Sequence, residues 1–363
     1  MSMKKENSAI RSIAILRLSA LGDVCLTIPL VRSLQKHLPN TTIYWIIGRQ
    51  YYSLVDNLSD VHFIVIDTPR SLKQYWECFR ILKQFHFDVL LMPQDTLRAH
   101  LISLFISANR KYGYARSYGR ACQYLFISHT VKSKHEHAIH SYLRFSEAIG
   151  ITDKTIHWQL PISEKENQES QKILALHPGK WLAICLSSSK ARKDWPYDRY
   201  LPLLQDLQKK WAFNVLLIGK YEPQWGPILT ALKQQIQCPI IDLTGKTSLK
   251  QLTALLAQVD GLLSPDTGPV HIATALNTPV VGLYAVTSSE ETGPYGSPWT
   301  LNKFPEAVRI FLKKDPAKLS SHPRVRSPQA MSLISIDEVK DQLNALFDSQ
   351  GFDKKPAFTD DNP

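Results

Sequence analysis

No run of apolar residues in this chain approaches the ~18 that a membrane-spanning helix needs. Cysteine is scarce. The five cysteines (Cys25, Cys78, Cys122, Cys185, Cys238) are scattered without paired spacing, which argues against a zinc site or a disulfide framework and fits a reducing compartment. A dinucleotide-dependent dehydrogenase carries G-x-G-x-x-G after its first strand. Ala20-Leu21-Gly22 does not supply it, and G-x-x-x-x-G-K-[ST] is missing as well. Any phosphate site therefore rests on hydrogen-bond donors and cations rather than on a P-loop and Mg²⁺. His135, His137 and His140 lie close together, but no carboxylate motif accompanies them, so helix-surface histidines are the plainer reading. The N-terminus bears Lys4, Lys5 and Glu6 and leads into a run broken by Arg17 and Asp23, a poor match to a signal peptide. These absences point to a cytoplasmic globular protein with no metal and no resident cofactor.

Positive charge is in excess, and it is uneven. The 363 residues carry a net +11. Residues 1–150 hold 19 Lys and Arg against 10 Asp and Glu, a balance of +9, and the remainder holds 24 against 22. A basic first half suits an anionic partner: nucleic acid, a phosphorylated substrate or a membrane surface. Surplus lysine that merely keeps a protein soluble reads the same way.

A chain of this length predicts two domains, and the pattern of segments shows where they meet. Short apolar runs at 13–18, 41–47, 61–66 and 88–92 alternate with helical spacing at 24–38, 51–58 and 71–85. Residues 109–130 have no clear period, and a helix runs from His135 to about Ile149. After a polar stretch at 151–176, with a helix near 164–176, the alternation resumes. Strands are expected at 181–186, 214–218, 240–243 and 261–264, with Thr278–Tyr284 as the last. Helices are expected at 196–211, 223–237 and 248–258. The final helix, 336–347, is a candidate to pack back across the domains. This is an α/β chain of two doubly wound parallel units, residues 1–160 and 161–349, with a disordered tail at 350–363.

In such sheets ligands bind beyond the carboxyl ends of the strands. The second unit places Ser188, Ser189, Lys193, Gly219, Glu222, Asp266, Thr267 and His271 there, and the first places Ser19, Asp23, Gln94 and Arg98. The stretch Ser264-Pro265-Asp266-Thr267-Gly268-Pro269-Val270-His271 reads as strand end, turn and helix start. Gly268 is expected to give the turn its freedom and Pro269 to open the helix, whose N–H groups could face an anion. Hydroxyls, a lysine and helix N-termini make a phosphate site, and a carboxylate opposite makes a candidate base.

Several of these segments also carry a family pattern. Ile15-Leu16-Arg17-Leu18-Ser19-Ala20-Leu21-Gly22-Asp23-Val24, Lys193-Asp194-Trp195-Pro196 and the 264–271 stretch occur in order. Gly282-Leu283-Tyr284 then runs on to Thr292-Gly293-Pro294-Tyr295-Gly296. Together, over roughly residues 10–345, they resemble the lipopolysaccharide heptosyltransferase family, glycosyltransferase family 9. The resemblance implies the GT-B fold, two Rossmann-like domains facing across a cleft, with the acceptor on the first and ADP-heptose on the second. It implies inverting, metal-independent transfer to the lipopolysaccharide inner core, at the inner face of the inner membrane of a Gram-negative bacterium.

By position the resemblance makes Asp23 the general base, where the residues alone suggest a helix cap. Lys193 supports the departing diphosphate. Ser188 and Ser189 give it hydroxyls, and Thr267 and Gly268 give it N–H groups. Asp266 and His271 contact the donor, and Glu222 is the nearest match to a ribose-binding acid. Gln94, Arg98 and Arg120 meet the anionic acceptor, Kdo-lipid A or inner-core lipopolysaccharide. The family members that add the first heptose carry an arginine cluster after the third strand. Here that loop offers only Arg70 and Lys73, which leaves Kdo, an existing heptose or another glycan as acceptor. A different nucleotide sugar is the nearest alternative. A nucleic-acid-binding protein would rest on the basic, aromatic segment 111–124 alone, since helix-turn-helix, OB and RRM signatures are missing. A scaffold that had lost catalysis would not need Asp23.

Overall fold

Ile13, Ala14, Ile15 and Leu16 are all fully buried, as a central parallel strand covered on both faces requires. They belong to β1 (Ser12–Leu16), around which the first unit is built. The computed structural model describes residues 10–115, 123–132, 136–319 and 323–355. The chain divides into two compact units, residues 1–161 and 162–363.

In the first unit, β1 is followed by β2 (Thr42–Gly48), β3 (His62–Ile66), β4 (His86–Leu91), β5 (Ser107–Tyr114) and β6 (His129–Val131). They form one sheet in the order β3-β2-β1-β4-β5-β6. Every neighbouring pair is parallel, with Ile13 opposite Ile43 on one side and Val89 on the other. The helices are α1 (Leu21–His37), α2 (Arg49–Tyr52), α3 (Leu72–Leu82), α4 (Leu97–Ser103) and α5 (Ala138–Ala148). One face of the sheet, with Leu16, Ile46, Ile64 and Leu90, is covered by Cys78 and Leu82 of α3 and by Ala99 and Ile102 of α4.

The second unit repeats this plan. Its strands are β7 (Trp181–Cys185), β8 (Trp211–Ala212), β9 (Asn214–Ile218), β10 (Ile240–Asp242), β11 (Gly261–Pro265), β12 (Val280–Tyr284), β13 (Leu301–Asn302) and β14 (Asp353–Lys354). The main sheet runs β10-β9-β7-β11-β12-β13 and is parallel throughout. Its helices are α6 (Glu164–Leu174), α7 (Tyr200–Lys210), α8 (Gly226–Gln235), α9 (Leu249–Leu256), α10 (Gly268–Ala275), α11 (Ser289–Thr292), α12 (Phe304–Ala307) and α13 (Ile336–Ser349). Counted in order within its own unit, each main sheet reads 3-2-1-4-5-6, the dinucleotide-binding order. Gly219, after β9, takes φ +105° and would set a Cβ 3.0 Å from the Cys185 sulfur, so both conformation and space demand glycine.

Several expectations need correction. The helix expected at 51–58 is only the single turn α2, and turns follow it. The segment without period contains β5 and β6. β5 mixes Asn109, Arg110 and Lys111 with Gly113 and is held by pairing with β4 and by the Gln123 side chain. That amide accepts from the Tyr114 N–H at 2.6 Å and donates to the Met92 carbonyl at 3.1 Å. The short helix α4 was not apparent in the sequence, and β12 is not the last strand, since β13 and β14 follow. The tail is ordered as far as Lys355. Phe352 is buried and stacks on Phe347 with ring centroids 4.1 Å apart, and β14 pairs antiparallel with β8. Residues 356–363 lie outside the described residues. Helix α13 buries Val339, Leu343, Leu346 and Phe347 in the core of the second unit, and Trp211 Nε1 donates to Asn344 at 2.7 Å.

Candidate active site

Each main sheet has a switch point, where successive strands begin to add on the opposite side. In the first unit it lies between β1 and β4, and in the second between β7 and β11. Crevices open at the carboxyl ends of such strand pairs; Ser19, Asp23 and Gln94 follow the first pair, and Ser188, Ser189, Lys193, Asp266 and Thr267 follow the second.

In the first unit, Asp23 is the third residue of α1. Its Oδ2 accepts the Ala20 N–H at 3.1 Å, so it does cap the helix start. Its Oδ1 lies 2.8 Å from an Arg17 guanidinium nitrogen and accepts the Tyr142 hydroxyl at 2.6 Å. The carboxylate is 39% exposed while Arg17 beneath it is only 5% exposed. Capping and an accessible carboxylate therefore coexist. Arg17 also donates to the Pro93 carbonyl at 2.6 Å and to the Tyr142 hydroxyl, and lies 4.6 Å above the Tyr142 ring. Burial pulls the Arg17 pKa down, but Asp23, Tyr142 and Tyr114 together outweigh it and leave the value raised. Burial, reinforced by Asp23, pushes the Tyr142 phenol well up, so it stays protonated and donates. Arg17 and Tyr142 were not read as site residues. Tyr142 arrives from α5, 119 residues away, and nothing near it in the sequence marks it.

Gln94 is buried and ties the two strand ends together. It accepts the Leu18 N–H at 2.6 Å and donates to the Ser19 hydroxyl at 3.3 Å. Arg98 is exposed on α4. Arg120 lies outside the described residues, as does His135. His137 is the N-cap of α5, its ring nitrogen accepting the Ile139 N–H at 3.3 Å.

In the second unit, Lys193 Nζ lies 2.5 Å from Asp266 Oδ2, which also accepts the Thr287 hydroxyl at 2.5 Å. Thr267 is the N-cap of α10, with no side chain capping the helix. Gly268 is its first residue and does not take a positive φ, so a glycine is not needed there for backbone freedom, contrary to expectation. Pro269 is second, and His271 is buried in the same first turn. Ser188 is buried just beyond the end of β7. Its hydroxyl donates to the Lys190 carbonyl at 2.8 Å and its N–H to Asp194 at 2.7 Å, so the hydroxyl is already engaged within its own loop. Ser189 is exposed. Glu222 pairs with Lys220 at 2.6 Å. Burial, and to a smaller extent Glu222, pushes the Asp194 carboxyl up to about 6 against the lowering effect of its Ser188 hydrogen bonds.

Two further arginines join this group. Val325 N–H donates to the Val286 carbonyl at 3.0 Å, which sets Arg324 and Arg326 on either side of a residue pinned next to Thr287. Burial lowers the Lys190 pKa, and the charges of Arg324, Arg192, Lys193 and Arg326 lower it further. The loop that carries Lys193 is anchored from below, since Trp195 Nε1 donates to the Ile334 carbonyl at 2.9 Å and Arg199 to the Ser332 carbonyl at 3.0 Å. Thr287, Arg324 and Arg326 lie in no recognisable motif. Their position depends on how the chain returns to the sheet end. Among the described residues, no three His, Cys, Asp or Glu side chains gather as metal ligands would.

The first unit thus offers an accessible carboxylate held by fixed donors, and the second offers cations and a helix start suited to a phosphorylated ligand. Two Rossmann-like units, each polar at its switch point, are the architecture of a GT-B glycosyltransferase. The family model of glycosyltransferase family 9 (heptosyltransferase) matches residues 75–308, and the chain belongs to that family. It is 31% identical to the lipopolysaccharide core heptosyltransferase OpsX of Haemophilus influenzae, over 93% of this chain and 97% of that one. In fold it is similar to the family 9 glycosyltransferase of Veillonella parvula, with TM-score 0.75 and 19% identity over 93% of this chain and 97% of that one. It is similar also to the ADP-heptose LPS heptosyltransferase II of E. coli, with TM-score 0.70 and 22% identity over 94% and 99%.

Proposed function

We propose that this glycosyltransferase moves heptose from ADP-heptose to the inner core of lipopolysaccharide, with inversion at the anomeric carbon and without a metal. The observation that carries the reading is the Asp23 carboxylate, accessible and yet aimed by Arg17, Tyr142 and the Ala20 N–H. The acceptor hydroxyl gives its proton to Asp23 as its oxygen attacks the anomeric carbon. The bond from that carbon to the diphosphate oxygen breaks, and ADP leaves with the electron pair. Lys193, Arg324, Arg326 and the start of α10 at Thr267 and Gly268 meet the charge that develops on the leaving group. No step calls for a metal or a bound cofactor.

Asp266 and His271 face the donor sugar, and Glu222 its ribose. Asp194 accepts the Ser188 N–H and so holds the loop that carries Lys193 in shape. On the acceptor side Arg98 and Arg120 meet carboxylates or phosphates of Kdo-lipid A or inner-core lipopolysaccharide, while Gln94 keeps the strand ends in register. An acceptor of this kind places the enzyme at the inner face of the inner membrane of a Gram-negative bacterium, in peripheral contact with it. Nucleic acid has no part in this reading.

The test is release of ADP by the purified protein given ADP-heptose, with and without Kdo-lipid A, beside Asp23→Asn. Release that needs the acceptor and is lost in the variant is the expected result. Turnover that survives in Asp23→Asn would reduce Asp23 to a helix cap. No release with either an inner-core or a Kdo-lipid A acceptor would direct the search to another nucleotide sugar or glycan.

A further inference from the structure

Among the described residues, most of the exposed large apolar side chains of the whole chain fall between residues 72 and 125. They are linked in space. A 3.6-residue period sets Leu72, Trp76 and Phe79 of α3 on one stripe, beside the inward face that buries Cys78 and Leu82. Leu72 is 88% exposed and Trp76 56%. Phe79 meets Phe105 edge-on at 5.6 Å, which joins α3 to the end of α4, where Leu104 is exposed. At the other end of α4 Leu97 is exposed, and within the helix His100 stacks on Phe126 at 5.4 Å, which brings Leu125, 67% exposed, alongside.

Cations border this stripe. Lys83 continues it, with its ammonium 5.5 Å from the Phe79 ring, and Lys73 and Arg80 run along its edge, with the Arg80 guanidinium 4.9 Å from the Trp76 ring. Arg70 precedes the helix, and Glu77 is the only acid within it. A helix that is apolar toward its own core and apolar again toward solvent needs something to cover its outer face. The basic border and the exposed Trp and Phe suit the headgroup region of an acidic bilayer, where aromatic rings settle and lysine and arginine find phosphates. Among the described residues no helix is long and apolar enough to cross a membrane, so the contact lies in the surface plane.

We propose that the outer stripe of α3, with the exposed leucines of α4 and Leu125, docks the first unit onto the surface of an anionic phospholipid bilayer. The proposal rests on the transferase reading only in that a lipid-borne acceptor gives the enzyme a reason to be there.

The experiment is flotation of the full-length protein with vesicles of phosphatidylethanolamine and phosphatidylglycerol, beside vesicles of phosphatidylcholine. Wild type is expected to float with the acidic vesicles, less so in high salt. Leu72→Ser with Trp76→Ser is expected to lower partitioning about tenfold or more. Arg80→Gln with Lys83→Gln is expected to remove the preference for acidic lipid. Both pairs are exposed, so the melting temperature should not fall, and transfer to a lipid-free acceptor sugar should be unchanged. Equal partitioning of wild type and variants would overturn the proposal. So would a wild type that ignores vesicles, whether monomeric or self-associated through this stripe. Flotation that depends on the stripe, in a protein that transfers no heptose, would uphold the surface and count against the ADP-heptose reading alone.

Discussion

The two switch points share a strand order and differ in how their charges are held. In the first unit the carboxylate sits above a buried guanidinium, and three separate donors converge on it. In the second the carboxylate Asp266 is bound by one lysine and one threonine, while further cations, Arg192, Arg324 and Arg326, stand near Lys190. The first arrangement suits a carboxylate that must keep one position and start out ionised. The second suits a ligand that brings its own negative charge. One topology thus holds a fixed carboxylate in the first unit and a group of cations in the second, and under the proposed reading substitutions at each should fail differently.

The sharpest contrast comes from Asp23→Asn. Turnover should fall by about 10²–10⁴-fold, the range of a lost general base, while calorimetry with ADP shows unchanged affinity. Lys193→Ala should reverse the pattern, weakening ADP binding and slowing transfer by about 10²-fold. An ADP affinity untouched by Lys193→Ala would misplace the phosphate site. Arg324→Gln with Arg326→Gln should weaken ADP by several-fold and leave adenosine binding alone, as expected for cations that meet phosphate only. Tyr142→Phe removes one of the donors to Asp23. About a tenfold loss in kcat with the donor KM unchanged is expected, at a stability cost of about 1 kcal/mol.

The smallest effect concerns Asp194, whose carboxyl is pushed up to about 6 in the folded protein. The folded chain then holds that proton more tightly than the unfolded chain, whose ordinary value is 3.8. Stability from this group is therefore greatest below about pH 4 and declines as pH rises toward 6. Asp194→Asn should flatten that part of the stability profile by on the order of 1 kcal/mol, measured by denaturant melts across the range.

The expected segments that matched best were those whose burial leaves a trace in composition. The runs at 13–18 and 181–186 are apolar because β1 and β7 are central strands covered on both faces. Asp23 and Lys193 come soon after these runs, and the resemblance to the family's motifs, not burial, singled them out. Tyr142, Arg324 and Arg326 were not legible. Each sits in a stretch whose local pattern describes only its own helix or loop, and its role depends on which strand end that stretch packs against. The strand β5 was hidden by its charges, and the fate of Phe352 by the polar residues around it. In both cases a tertiary partner, Gln123 or Phe347, decides the outcome.

The anchoring of Trp195 to the Ile334 carbonyl has a consequence for the order in which the protein comes into being. A chain emerging from the ribosome exposes its first unit whole well before the second, and units fold as they become complete. The carboxylate of the first unit can therefore be in place early. The loop bearing Lys193 must wait for residues 332–334 near the end of the chain. A nascent chain stalled in that interval would hold the Asp23 carboxylate in place while the loop bearing Lys193 still lacked its anchor.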